Sequence, residues 1–443
     1  MKQTRRDFLK KTTLAMTALA APMFIPRTVF AQGNRPGANE RLGIGAIGVG
    51  RQGVPVLANL LRDQRTVPIA LCDVLKSRAL SSAERYGILP ENAFQDYRKV
   101  IEHKDVDAVL IATTEHWRGP MCVGAALAGK HLYVEKPITL TVDDGKRIRK
   151  AVNKTGVVFQ SGSQQRSDRV NDLACRFIRE GHLGKMHEIH CANYESPWLY
   201  GMSAEPIPEG LDWDMWCGPV EPVPYNRELF VARGNPGWLS IRDYSGGEMT
   251  GWGTHGLDQV QCALGMDNTG PVEIIVDGDK LVPPVYTVPE SRDRGNEICS
   301  KPMLSYKYAD GTLVKLNLDL HFQSAQRGGA IFHGEKGVVE IRRGHMSSNP
   351  SELAQDFLRA HAEHRLPVHE VNWINCIYNG NMPIGHLETG IRTTTICHIL
   401  SIARYVGRDL KWDPVKEEFI DDAEANTWLA REQRKGFETP EVG

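Results

Sequence analysis

The chain has no Cys-x-x-Cys pair, no apolar run long enough to span a membrane, and almost no net charge. Nine cysteines are scattered over 443 residues, at 72, 122, 175, 191, 217, 262, 299, 376 and 397. Without paired spacing they exclude zinc ribbons and thioredoxin-like dithiol chemistry. Their number is odd, and several sit in apolar runs such as 69–74, so buried free thiols are expected rather than a disulfide framework. The missing apolar run excludes a stable membrane anchor. A net charge of −1 leaves no basic field for nucleic acid. Internal repeats and low-complexity tracts are also lacking, which excludes solenoids and disordered arrays. What remains is an ordinary globular composition, 41% hydrophobic and 24% charged, in a chain long enough for two domains.

The first residues stand apart from this body. Arg5-Arg6-Asp7-Phe8-Leu9-Lys10 precedes a modest apolar stretch from Thr12 to Ile25, and Val29-Phe30-Ala31 offers a cleavage site. Residues 1–31 resemble a twin-arginine signal, which implies a periplasmic or other extracytoplasmic protein that folds before export. They hold six Lys/Arg and one Asp, so the remainder of the chain carries −6.

After a polar linker, 42–47 reads as a buried strand. It runs into Gly48-Val49-Gly50-Arg51-Gln52-Gly53 and then a helix to about Leu61. A G-x-G-x-x-G between strand and helix is the context in which the motif binds a dinucleotide. Gly48 makes the tight turn, Gly50 lets the backbone approach a pyrophosphate, and Gly53 lets helix pack on strand. A second strand, 67–72, ends in Asp73, twenty residues beyond Gly53, the spacing of a carboxylate that holds ribose hydroxyls. That acid favours NAD, while nearby Arg78 leaves NADP open. Strands at 107–112, 131–134 and 157–160 alternate with helices at 120–128 and 142–155. This predicts a doubly wound parallel sheet, with ligands beyond the carboxyl ends of its strands. Thr113-Thr114-Glu115-His116-Trp117 and Glu135-Lys136-Pro137 fall there.

These segments resemble the Gfo/Idh/MocA family (glucose–fructose oxidoreductase, inositol dehydrogenase and rhizopine catabolism proteins). The resemblance covers nearly the whole chain after the signal. It rests on Gly48–Gly53, Asp73, Glu115-His116-Trp117, Glu135-Lys136-Pro137, Gly162-Ser163-Gln164-Gln165-Arg166, the segment Leu211–Pro219, and Gly246-Gly247-Glu248-Met249 leading to His255. It implies an N-terminal Rossmann domain at 40–165 and a C-terminal α+β domain at 166–443 with a mostly antiparallel sheet that often mediates homo-oligomer contacts. It also implies a cofactor site of Gly48, Gly50, Arg51, Gln52, Gly53, Asp73, Thr113, Glu115, His116, Glu135 and Lys136. Lys136 and His255 are the implied catalytic pair: hydride leaves a carbinol carbon as its hydroxyl proton departs, so an ammonium or imidazole must reach that oxygen. Asp258, three residues beyond His255, is placed to orient the ring. One departure stands out. Many dehydrogenases of the family carry an aspartate four residues before this histidine, where this chain has Gly251.

The second domain reads as a helix at 170–180 and strands at 186–193, 272–276, 305–308, 313–320, 330–333 and 338–341, with helices at 352–365 and 389–407. Between 194 and 252 lies an irregular aromatic-rich insertion holding five of the nine tryptophans. Most of these rings anchor the loop, and two or three are expected to touch substrate. Tyr194, Trp252, His255, Arg166 and Asn226 are the substrate candidates. His361 and His364 lack a convincing third ligand, so no metal is expected.

Extracytoplasmic compartments lack a free dinucleotide pool. The reading is therefore an exported oxidoreductase acting on a sugar, glycoside or polyol with tightly bound NAD. The alternative is an NAD-dependent glycosidase, which oxidises the sugar transiently. Trp252-Gly253-Thr254-His255 is loosely similar to a segment of such enzymes, although they lack the Glu-Lys-Pro triplet. A non-catalytic sugar-binding protein is the third reading.

Overall fold

A computed structural model describes residues 40–231, 237–288, 291–317 and 328–443. The expected export signal lies outside the described residues, as does the end of the predicted strand 313–320.

Six strands, β1 (Leu42–Ile47), β2 (Thr66–Cys72), β3 (Ala93–Phe94), β4 (Ala108–Ile111), β5 (His131–Val134) and β6 (Phe159–Ser161), form one parallel sheet in the order β3-β2-β1-β4-β5-β6. Every residue of β1 and β4 is buried, which is why they read as continuous apolar runs rather than as alternation. The helix Val142–Thr155 shows how local chemistry sets the boundaries. Thr141 and Asp144 form a reciprocal capping box at its start, and Gly156 closes it with φ +68°. The topology brings Gly48, Asp73, Thr113 and Glu135 to one edge, beyond the carboxyl ends of β1, β2, β4 and β5.

The second sheet is built from β7 (Met186–Ala192), β9 (Glu273–Asp277), β11 (Met303–Lys307), β12 (Leu313–Asn317), β13 (Ala330–Gly334), β14 (Gly337–Arg342), β15 (His345–Asn349), β16 (Leu410–Asp413) and β17 (Glu418–Phe419). Its order is β15-β14-β13-β7-β12-β11-β9-β16-β17. Only the β7–β12 pairing is parallel among these neighbours. Helices Arg169–Arg179, Gly253–Leu264 and Leu387–Val406 join Ile189, Leu304, Val314 and Phe332 of the sheet in one core. The opposite face keeps Glu188, His190, Lys315 and His333 toward solvent.

The aromatic insertion has a core of its own. Trp213 stacks on Trp216 with ring centroids 4.3 Å apart, and Trp198 stacks on Tyr286 at 5.3 Å. Here β8 (Leu199–Tyr200) pairs with β10 (Val285–Tyr286). Among the elements not anticipated are the helix His369–Asn379, strand β15, and the β16–β17 hairpin. The helix packs Trp373 and Ile374 against the first sheet. The segment around Phe437 and Val442 returns to the same sheet's other core, where Phe437 meets Trp117 edge-on.

All nine cysteines are buried free thiols. Among the described residues no three His, Cys, Asp or Glu side chains gather as a metal site. His361 turns to the Phe357 carbonyl and His364 to Asp172.

Candidate active site

A cleft of about 880 Å³ opens along the carboxyl edge of the first sheet and is closed on its far side by the second domain. At one end is the glycine turn. Gly48 has φ +84°, and a Cβ there would lie 2.6 Å from the Ala112 carbonyl oxygen. A Cβ on Gly53 would lie 1.9 Å from the Gly48 oxygen, so the helix Gly53–Leu60 approaches its turn only with glycine at that position. Among the described residues the N–H groups of Gly50, Arg51 and Gln52 find no acceptor. Three unspent donors at a helix N-terminus fit a pyrophosphate.

Asp73 is buried and lines the same end. Its carboxylate accepts the N–H of Val49 at 3.2 Å and of Leu75 at 3.0 Å, and pairs with Arg78 at 3.3 Å. Burial pushes it above its ordinary value, against the pull of Arg78 and the two N–H groups. Arg78 itself spans the cleft wall and lies over the Phe230 ring.

At the other end stands Glu135-Lys136-Pro137, with a cis peptide before Pro137. Glu135 is fully enclosed, and its Oε1 accepts from Gln52 at 3.2 Å and from Gln164 at 2.7 Å. The acid thereby fixes the glycine turn to the lysine turn. Burial raises it, while Lys136 and Arg118 act in the opposite sense. Lys136 is half-buried and donates from Nζ to the main-chain carbonyl of Gly251 at 3.0 Å. Position 251, where the resemblance implies an aspartate, thus still faces the lysine, but offers a carbonyl dipole in place of a carboxylate.

His255 enters from the second domain, on the helix Gly253–Leu264, with Trp252 beside it at 5.7 Å between ring centroids. The guanidinium of Arg343 lies 3.1 Å from His255 Nε2. A guanidinium only donates, so Nε2 is the acceptor, and the neutral ring carries its proton on Nδ1. Lys136, His255, Trp252 and Arg343 all line the one cleft, with Trp216, Phe230 and Trp238 of the aromatic insertion.

Several expected site residues lie elsewhere. Glu115 is wholly enclosed. It accepts from Ser245 Oγ at 2.8 Å, from the Gly246 N–H at 2.9 Å and from Thr250 Oγ1 at 3.0 Å. His116 turns Nε2 to the Trp216 carbonyl at 2.9 Å and packs on Tyr244; burial lowers it to about 4. Both face away from the cleft and pin the insertion to the first domain. Arg166 is consumed by Asp258 and Asp267, at 2.8 and 2.7 Å, so it does not present a guanidinium to substrate and Asp258 does not orient His255. Tyr194 is fully buried in the second core. Asn226 caps the helix Arg227–Phe230 by accepting the Glu228 N–H.

Two cleft residues left no usable signal in the sequence. Arg118 is buried and donates to the Thr113 carbonyl at 2.6 Å and to the Pro137 carbonyl, tying the ends of β4 and β5 together. Arg343 lies in the β14–β15 turn, 88 positions from the histidine it touches.

A dinucleotide cradle sharing its cleft with two proton-carrying side chains, one from each domain, is the arrangement of the two-domain nicotinamide oxidoreductases. Residues 42–163 match the profile described as "Oxidoreductase family, NAD-binding Rossmann fold", and residues 192–439 match "Oxidoreductase family, C-terminal alpha/beta domain". The chain belongs to the Gfo/Idh/MocA family and is an NAD-binding oxidoreductase of that type. It is 31% identical over 220 residues to a scyllo-inositol 2-dehydrogenase (NAD(+)) of Bacillus subtilis, covering 47% of this chain and 56% of that one. It is 32% identical over 158 residues to a glycosyl hydrolase family 109 protein of a Shewanella species, covering 32% of this chain and 35% of that one. The chain thus spans about half or less of the length of these curated relatives. Among solved structures it resembles aldose-aldose oxidoreductase from Caulobacter crescentus, with a TM-score of 0.55 at 18% identity, covering 84% of this chain and 99% of that one.

Proposed function

We propose that the protein oxidises a carbinol of a sugar, glycoside or polyol with a resident NAD, and that a second, carbonyl substrate closes the cycle. The observation that carries this reading is that Lys136 and His255 face one cleft with the glycine turn and Asp73. NAD, when bound, supplies the hydride acceptor. The chain's own part is to seat the pyrophosphate on the N–H groups of Gly50–Gln52, to hold the reacting oxygen with the Lys136 ammonium, and to move its proton. His255 Nε2 carries the lone pair for that proton once the substrate hydroxyl displaces Arg343. The first sugar gives up a carbinol hydrogen and a hydroxyl proton, and the second receives both. Trp252 and the three aromatic rings of the insertion offer faces to the C–H side of a sugar ring.

The tightly held cofactor follows from the expected twin-arginine signal, which would deliver the folded protein to a compartment without free dinucleotide. The names of the relatives, an inositol dehydrogenase and an aldose-aldose oxidoreductase, agree with a carbohydrate substrate. A second reading, an NAD-dependent glycosidase, draws support from Gly251 in place of an acid and from the glycosyl hydrolase relative.

One incubation decides. Purified protein is analysed for bound dinucleotide by mass spectrometry, then mixed with a panel of sugars, inositols and aryl glycosides while cofactor absorbance and aglycone release are followed. Net oxidation or reduction without aglycone release supports the proposal. Aglycone release without net redox change transfers the assignment to the glycosidase. Protein that purifies without dinucleotide and binds it only weakly removes the resident cofactor.

A further inference from the structure

A second cavity, of about 250 Å³, lies at the joint between the domains and away from the catalytic cleft. One wall is Leu140–Val142, a few residues beyond the Lys136 turn. The others come from the end of the helix Leu387–Val406, from the strap 427–431, and from Pro197, Arg242 and Gly246 of the aromatic insertion. Its polar lining is unusual. Arg242 and Arg431 both reach it, and among the described residues neither forms an ion pair with a carboxylate. Arg431 donates to the Arg242 carbonyl, and Arg242 lies over the Trp428 ring at 4.5 Å and the Tyr405 ring at 5.4 Å. Asp243 and Asp144 act on Arg431 only through space, and Asp144 already accepts the N–H groups of Leu140 and Thr141. Tyr405 is 5% exposed, lines the cavity, and its hydroxyl has no hydrogen-bond partner. Ser401 and His398 complete the polar surface.

Two half-buried guanidiniums without a direct carboxylate contact among the described residues and a buried, unpartnered phenol are each costly alone. Together they present forked N–H donors and an O–H donor to one small space, the donor set that recognises an oxyanion. We propose that this cavity is a binding site for a small anion carrying phosphate or carboxylate oxygens, held by Arg242, Arg431 and Tyr405. Its volume is just below the roughly 300 Å³ at which drug-sized pockets begin, which limits the ligand to inorganic phosphate or a short di- or tricarboxylate. Occupancy would fill the joint between the Lys136 turn and the second domain, from which His255 projects.

The test is calorimetric titration of the full chain, saturated with NAD so that the helix N-terminus at Gly50–Gln52 is filled, with phosphate and separately with citrate at constant ionic strength in chloride. Saturable 1:1 binding of either ion is expected, and which of the two binds tells a tetrahedral from a planar preference. Arg431→Gln should raise Kd at least ten-fold. Tyr405→Phe keeps the ring stacking and should raise it about three- to ten-fold with an unchanged unfolding temperature. Arg343→Gln, in the catalytic cleft, should leave Kd unchanged. Absence of saturable binding for both ions overturns the site. So does an affinity untouched by Arg431→Gln and Tyr405→Phe, or one lost in Arg343→Gln.

Discussion

Glu115-His116-Trp117 and Glu135-Lys136-Pro137 invite comparison. Both follow buried parallel strands, both stand at the carboxyl edge of the sheet, and both combine an acid with a basic side chain. Only the second turns its acid and base into the cleft; of the first, only Trp117 lines it. Glu115 is surrounded by three donors from the aromatic insertion, and His116 by a carbonyl and two aromatic rings. Glu135 is bound by the first domain's own Gln52 and Gln164, which leaves Lys136 turned to the cleft. A strand end marks a place where chemistry can sit; what packs over it decides whether the side chains become fasteners or tools.

Substitutions sharpen that contrast. The largest effect is expected at Lys136→Ala: kcat/KM should fall about 10³-fold, roughly 4 kcal/mol of barrier, with NAD affinity and unfolding temperature nearly unchanged. Steady-state kinetics and a thermal melt check this, and an active variant removes Lys136 from the chemistry. Glu115→Ala should do the reverse. It leaves two hydroxyls and an N–H without their acceptor and should lower stability by about 3 kcal/mol in a urea titration. A smaller effect is expected at Arg118→Lys, which keeps a charge but loses the fork joining Thr113 to Pro137. Its kcat should fall about ten-fold with little change in KM.

The smallest effect is a slope. Burial holds His116 at about 4, against about 6.5 when unfolded. The imidazole's contribution to stability is full above about pH 6.5 and is lost as the unfolded chain takes up its proton on the way down to about pH 4. His116→Asn should flatten the stability–pH profile in that window by at most about 1.4 kcal/mol per pH unit. An unchanged slope would mean that the ring already titrates in the folded protein.

The parts of the molecule legible in the sequence were those whose cause is local. The glycine turn, Asp73, the buried strands and the capped helix 142–155 each follow from neighbouring residues. The helix His369–Asn379 was missed because its fit is tertiary: it places Trp373 and Ile374 on the first sheet while polar residues fill much of the rest. Arg166 shows the limit in the other direction. It sits in a telling motif, yet Asp258 and Asp267, 92 and 101 positions on, claim its guanidinium. Arg343 meets His255 through a strand turn that nothing near the histidine announces.

The first sheet draws part of its cover from far down the chain: Trp373 and Ile374 on one side, Leu387, Ile391 and Val442 on the other. The lobe that leaves the ribosome first is therefore completed last. Residues 40–165 alone would expose these contact patches to water, and a dinucleotide would find its finished seat only after nearly all of the polypeptide had been made. On this packing, cofactor capture would belong to the end of synthesis, when both lobes already exist.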